Sequence, residues 1–157
     1  MHEQEEEYRR AAESAAGMLA RRPLSAEMLE RKLLEKNFGA PAAAYAVERM
    51  RLLGAIDDAA FAEQVVRACA RKGYGELRIR QELRARGVAE SVAAQALRGF
   101  APEADVLYRL LDKRLRGDVS DRRACEKAMA ALQRRGFTFA QIREAMREYR
   151  ARAEEEQ

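Results

Sequence analysis

Three stretches of this chain read alike at a nearly fixed interval: Leu33-Leu34-Glu35-Lys36-Asn37-Phe38, Leu83-Arg84-Ala85-Arg86-Gly87-Val88 and Leu132-Gln133-Arg134-Arg135-Gly136-Phe137. The leucine at 83 follows that at 33 by 50 positions, and the leucine at 132 follows by 49. An internal repeat of this length constrains the fold more tightly than any local signal, because units too small to bury their own apolar faces must stack on one another. Each stretch has the form of a helix C-terminus: a leucine, a basic turn, a Gly or Asn suited to the left-handed position, then a hydrophobe that closes the cap.

The register extends to both sides. Leu29, Ile79 and Ala128 stand four residues ahead of each leucine and share its helix face. Downstream, Ala43-Val47-Met50, Ala93-Leu97-Phe100 and Ile142-Met146-Tyr149 carry the i, i+4, i+7 stripe of a following helix. Upstream, apolar positions at Ala15-Met18-Leu19, Phe61-Val65-Val66-Cys69 and Val106-Leu107-Leu110-Leu111-Leu115 mark a first helix in each unit. The chain therefore reads as all-α, three tandem three-helix repeats forming an elongated, curved body, with repeats at 1–54, 55–100 and 101–157. Ser25, Asp57 or Asp58, and Ser120 are suitable N-caps, and Thr138-Phe139-Ala140-Gln141 fits the capping box. Nine helices are expected to start near residues 5, 25, 41, 58, 75, 89, 102, 120 and 139.

Composition agrees with this. Charged residues are 36% of the chain, against about 25% in an average soluble domain, and only 9 Gly and 3 Pro interrupt the helix formers. It also narrows the chemistry. Cys69 and Cys125 have no CxxC spacing, and the one histidine, His2, lies in a terminus expected to fray. A zinc site needs about four suitably spaced ligands, and a Ser or Cys nucleophile usually needs a base. Neither constellation is present, so no catalytic residue, metal or cofactor is expected. No apolar run reaches the roughly 20 residues of a membrane span, and the start, His2-Glu3-Gln4-Glu5, is acidic where a signal peptide would be basic and then apolar. A cytoplasmic monomer with no membrane contact is the expectation.

The net charge of +4 conceals an uneven distribution. Glu3, Glu5, Glu6 and Glu7 at one end and Glu154, Glu155 and Glu156 at the other read as acidic tails. Setting aside those seven leaves 19 acids against all 30 Lys and Arg, a net +11 for residues 8–153. A body that basic suggests an anionic partner, although solubility alone also favours charge.

The middle repeat concentrates it. Arg67, Arg71, Lys72, Arg78, Arg80, Arg84 and Arg86 face only Glu76 and Glu82 within the same stretch. Glu63 to Arg67, Glu76 to Arg80, Arg78 to Glu82 and Glu82 to Arg86 are helical i,i+4 pairs, worth a few tenths of a kcal/mol each. Arg71, Lys72 and Arg84 lack such a partner, so they are the leading candidates to contact an acidic surface or phosphate; a solvated basic face is the plainer reading. Tyr74 invites base stacking, but its counterpart in the first repeat is Leu24, which argues for the core. Arg134 and Arg135 lie at a helix C-terminus, where complementing the macrodipole competes with partner binding. Asp57 and Asp58 read as a cap, with no chemistry assigned.

These residues together resemble the RecX family of bacterial RecA regulators. The middle repeat carries the resemblance in order: Leu53-Gly54-Ala55-Ile56-Asp57-Asp58, Phe61-Ala62, Val66-Arg67, Arg71, Gly73-Tyr74-Gly75, Arg78-Ile79, Glu82-Leu83 and Arg86-Gly87-Val88. Arg21-Arg22-Pro23-Leu24-Ser25, Leu29, Lys32-Leu33, Lys36 and Phe38 add to it from the first repeat, and Arg134-Arg135-Gly136-Phe137 from the third. The resemblance spans about Ala11 to Tyr149. Asn37 departs from the usual Gly, and Met28 stands where Leu is common; both departures are structural. The resemblance implies three three-helix repeats. It further implies binding in the groove of the RecA–DNA filament, inhibition of the recombinase, and secondary contact with single- or double-stranded DNA through phosphates.

The rival reading is a helix-turn-helix DNA-binding regulator built on residues 21–54. Its recognition helix would begin Pro41-Ala42-Ala43-Ala44-Tyr45, poor in the side chains that read base edges. A helical scaffold with no nucleic-acid partner is a third reading.

Overall fold

A computed structural model describes residues 2–156. Among the described residues there are nine helices and no strand. The first repeat contains α1 (His2–Arg21), α2 (Ala26–Glu35) and α3 (Ala40–Leu52). The middle repeat contains α4 (Asp58–Arg71), α5 (Glu76–Ala85) and α6 (Glu90–Ala96), and the third α7 (Val106–Leu115), α8 (Arg122–Arg134) and α9 (Phe139–Glu155). The chain is an all-α repeat protein.

The three signature turns close identically. The N–H groups of Phe38, Val88 and Phe137 donate to the carbonyls of Leu33, Leu83 and Leu132, while those of Asn37, Gly87 and Gly136 donate to Leu34, Arg84 and Gln133. This double bond pattern is the Schellman cap, and its left-handed residue has φ 72° at Asn37, 77° at Gly87 and 94° at Gly136. Ser25 caps α2 by accepting the Met28 N–H, and Thr138 with Gln141 forms both halves of the capping box.

Several local expectations need correction. Ser120 does not cap α8; Asp121 does, accepting from Arg123 and Ala124, while the Ser120 hydroxyl donates to Asp118. Asp57 and Asp58 divide the work: Asp57 accepts the Ala60 N–H of its own helix, and Asp58 accepts the Ala26 N–H at the start of α2. α6 stops at Ala96, so Leu97 and Phe100 lie beyond it, in a turn closed by Gly99 at φ 74° and followed by Pro102. α7 begins at Val106 rather than near 102, because Pro102 to Asp105 offer no apolar stripe to bury and the Asp105 side chain caps nothing. The acidic ends are helix rather than tail: α1 starts at His2 with Glu3 and Glu5 in its first turn, where the macrodipole favours anions.

By contacts the chain divides into two compact units, Met1–Val65 with Leu83–Ala96, and Val66–Glu82 with Leu97–Gln157. In the first, α1 packs mainly along α3. Ala11 and Ala15 meet Ala42, Ala43 and Ala46 there, and such small side chains let helix axes approach closely. Leu24, Leu29 and Leu33 complete the core. In the second, α7, α8 and α9 enclose Leu111, Cys125, Leu132, Phe137, Ile142, Met146 and Tyr149.

Each unit also contains one junction between repeats, and the two are built alike. In the first unit the residues ahead of α2 dock on the turn after α5: the buried Ser25 hydroxyl donates to the Arg86 carbonyl at 2.5 Å, and a Cβ on Gly87 would lie 2.8 Å from the Cβ of Glu27. In the second, the residues ahead of α5 dock on the turn after α8. Gly75 N–H donates to the Arg135 carbonyl at 2.7 Å and Leu77 N–H to Gly136 at 3.0 Å, with a Gly75 Cβ only 2.6 Å from Gly136. Ser25 and Gly75 occupy equivalent positions, so a hydroxyl performs at one junction what a backbone N–H performs at the other. The matching turn of the first repeat, Lys36–Asn37, is exposed, and among the described residues nothing docks on it. That is why Asn suffices there: no neighbouring loop collides with its side chain, and Asn tolerates the left-handed region.

Tyr149 fastens the far end of α7. Its hydroxyl donates to Asp112 Oδ1 at 2.8 Å and accepts the Gly117 N–H at 2.7 Å. Burial, reinforced by the Asp112 bond, pushes the phenol up to about 12. Since the folded value exceeds the unfolded value of about 10, the stabilising effect is complete below pH 10 and disappears as pH rises to 12. The stability difference between wild type and Tyr149→Phe, measured by urea unfolding, is therefore expected to be constant below pH 10 and to shrink between pH 10 and 12.

Candidate functional site

Arg71, Lys72, Arg78 and Arg80 of the middle repeat lie where α4 ends, the Lys72-Gly73-Tyr74-Gly75 turn begins and α5 starts. Gly73 takes φ 80° and closes α4 with a cap, Tyr74 N–H donating to the Cys69 carbonyl. The Gly75–Arg135 and Leu77–Gly136 bonds then hold this turn against the end of α8 within the second unit. Seven of the eight sequence-derived cations, Arg67, Arg71, Lys72, Arg78, Arg80, Arg134 and Arg135, belong to that unit; Arg84 falls in the first.

They form two sets. Arg78, Arg80 and Arg135 are half-buried and engaged. Arg78 lies 4.7 Å from the centre of the Tyr74 ring and pairs with Glu82 at 3.3 Å, and Arg80 pairs with Glu76 at 3.1 Å. Arg135 sits 6.0 Å from the Tyr74 ring and donates through Nη1 to the Lys72 carbonyl at 2.8 Å. It thus serves a different helix end from its own, satisfying a carbonyl just past α4 rather than α8. Arg67, Arg71, Lys72, Arg84 and Arg134 form the second set: all are exposed, and among the described residues none of their side chains makes an ion pair. The expected Glu63–Arg67 pair is not formed, because both side chains extend into solvent, where such a contact is worth little.

Tyr74 fits neither core nor stacking platform simply. It is half-buried, and the ring carries two of the protein's own guanidinium groups. The ring and Gly75 thereby fix the turn from which Arg71 and Lys72 project. No sequence pattern joins Gly75 to Gly136; the repeat marks each separately, and only the fold brings them into contact.

Among the described residues no cluster of three or more His, Cys, Asp or Glu is placed to hold a metal ion, and no helix is long and apolar enough to cross a membrane. Cys69 and Cys125 are both buried. The site offers fixed positive charge with a rigid backbone beneath it, suited to an anionic surface.

Comparison with known proteins identifies the family. Family models described as RecX, second three-helix domain, and RecX, third three-helix domain, match residues 57–97 and 101–146. The Regulatory protein RecX of Chromohalobacter salexigens is 38% identical over 135 residues, covering 85% of this chain and 89% of the relative. That of Pelodictyon phaeoclathratiforme is 34% identical over 136 residues, covering 85% and 84%. The crystal structure of RecX from Lactobacillus salivarius superposes with a TM-score of 0.84 over 92% of this chain and 97% of that one; at 19% identity it speaks to the fold. A further crystal structure of a regulatory protein RecX superposes at 0.79 with 26% identity, covering 90% of this chain and 72% of that one. The chain belongs to the RecX family of regulatory proteins.

Proposed function

We infer that the protein acts as a cytoplasmic monomer that binds the RecA–DNA filament and inhibits the recombinase, with Arg67, Arg71, Lys72, Arg84 and Arg134 contacting acidic RecA side chains or DNA phosphate. The observation that carries this reading is the exposed set of cations without internal partners, on a chain whose family is regulatory. Arg78, Arg80 and Arg135 then act from behind, bracing the turn that presents Arg71 and Lys72. A regulator of this kind works by binding assembled filament and free protomer unequally, which displaces the assembly equilibrium.

Cosedimentation with RecA filaments, alongside RecA ATPase and strand-exchange assays, tests it. The protein should pellet with filament and lower both activities in proportion to its concentration. Unchanged activity across a full titration would sink the reading. Arg71→Glu with Lys72→Glu should weaken filament binding about tenfold, from two surface contacts reversed at roughly 1 kcal/mol or less each. These positions are preferable to Arg80, whose reversal would also break the pair with Glu76. A slope of affinity against salt that flattens in the double variant identifies the contact as ionic.

A further inference from the structure

Away from the basic turn, the second unit carries a groove of opposite character. It has a volume of about 420 Å³ and runs between α7 and α9, closed at one end by the Pro102–Asp105 segment. Its floor includes Leu107, Tyr108 and Ala145, all half-buried, and its walls carry Glu103, Asp105, Glu144 and Glu148 against a single arginine, Arg152. Four carboxylates to one cation is unexpected on a body whose central residues are net positive.

The carboxylates are not all satisfied. Arg109 pairs with Glu103 at 3.5 Å and Arg147 pairs with Glu144. Asp105 caps no backbone and forms no ion pair among the described residues. Glu148 sits one helical turn from Glu144 and within hydrogen-bonding reach of it, and it forms no ion pair among the described residues. Meanwhile Arg152 lies 4.6 Å from the centre of the Tyr108 ring, so this groove already holds one guanidinium on its aromatic floor.

We propose that the α7–α9 groove docks a cationic segment of a protein partner, one that seats a large apolar side chain on Leu107, Tyr108 and Ala145 between Arg or Lys residues facing Asp105 and Glu148. The volume accommodates one or two large side chains, and the unpaired acids supply the complementary charge that orients them. The groove is separate from the cations assigned to filament binding, so either assignment can fail alone.

The chain contains no Trp, so a peptide's tryptophan can be excited selectively. The probe is a nine-residue peptide with one central Trp and Arg on both sides, and the control peptide replaces every Arg with Gln. Titrating the full chain into the Arg peptide should produce a saturable blue shift of Trp emission, weakened at least tenfold with the Gln peptide. Asp105→Asn with Glu148→Gln should weaken the Arg peptide about tenfold, whereas Glu3→Gln with Glu5→Gln, which removes the same charge from α1, should leave it unchanged. Absence of a saturable shift, equal binding of both peptides, or equal loss in the α1 variant would each overturn the proposal.

Discussion

Gly136→Ala is expected to destabilise the protein by about 2–5 kcal/mol, lowering its melting temperature by roughly 4–20 °C. Two effects add at this position. With φ at 94° an L side chain is strained by about 1–2 kcal/mol. The new Cβ would also collide with the backbone nitrogen of Arg78 and lie 2.8 Å from its Cα, atoms held by the Leu77–Gly136 bond, and overpacking of this kind costs about 1–3 kcal/mol. Two companions separate the contributions. Gly117 has φ 85° with nothing within 4 Å of an added methyl, so its Ala variant feels the backbone strain alone. Gly75 has no positive φ but a 2.6 Å clash, so its Ala variant feels the packing alone. Thermal unfolding of all three should rank Gly136→Ala as the largest loss, near the sum of the other two; a loss at Gly136 no greater than that at Gly117 would show that the turn is not clamped.

Phe137→Ala should rank with it, at about 3–5 kcal/mol. The ring is 1% exposed within the α7–α9 core, and removing it leaves a cavity that the cap beside it cannot collapse to fill. The repeat supplies internal controls. Val88, 6% exposed, follows Gly87 as Phe137 follows Gly136, and its Ala variant should cost about 2 kcal/mol, since it buries a smaller side chain. Phe38 occupies the same place in the first repeat but is only half-buried, because no neighbouring loop covers its turn. Phe38→Ala should cost less than half as much as Phe137→Ala despite removing the same ring. Chemical denaturation midpoints measure the order directly, and equal losses at Phe38 and Phe137 would contradict it.

Much of this fold was legible in the sequence because its information is local and repeated. Leucine-to-glycine spacing, cap residues and the i, i+4, i+7 stripes each depend on residues within one helix or turn, so periodicity located nine helices and three equivalent caps. The errors fall where local chemistry offered two answers. Ser120 and Asp121 are adjacent capping residues, and Asp121 won because its carboxylate reaches two N–H groups while Ser120 bonds to Asp118. Phe100 continued an apolar stripe on paper, but Gly99 turned the chain first. The acidic ends looked like tails because charge runs usually are, yet both consist of strong helix formers.

The candidate site was legible only as composition. Sequence identified the cations, and helical spacing correctly paired Arg78 with Glu82 and Arg80 with Glu76. It could not show that Arg135 reaches Lys72, 63 positions away, or that Tyr74 lies beneath two guanidinium groups, because self-similarity reveals which residues are equivalent without revealing which touch. The α7–α9 groove was invisible for the same reason: its acids come from segments about 40 residues apart, each ordinary when read alone.

The uncovered turn at Lys36–Asn37 gives the array a direction of growth. A unit fused ahead of the first repeat would have to seat its loop on residue 37, and would meet there the side-chain carbon that Gly87 and Gly136 lack. Lengthening the chain at the amino end by gene duplication or by engineering thus waits on a single exchange, Asn37→Gly.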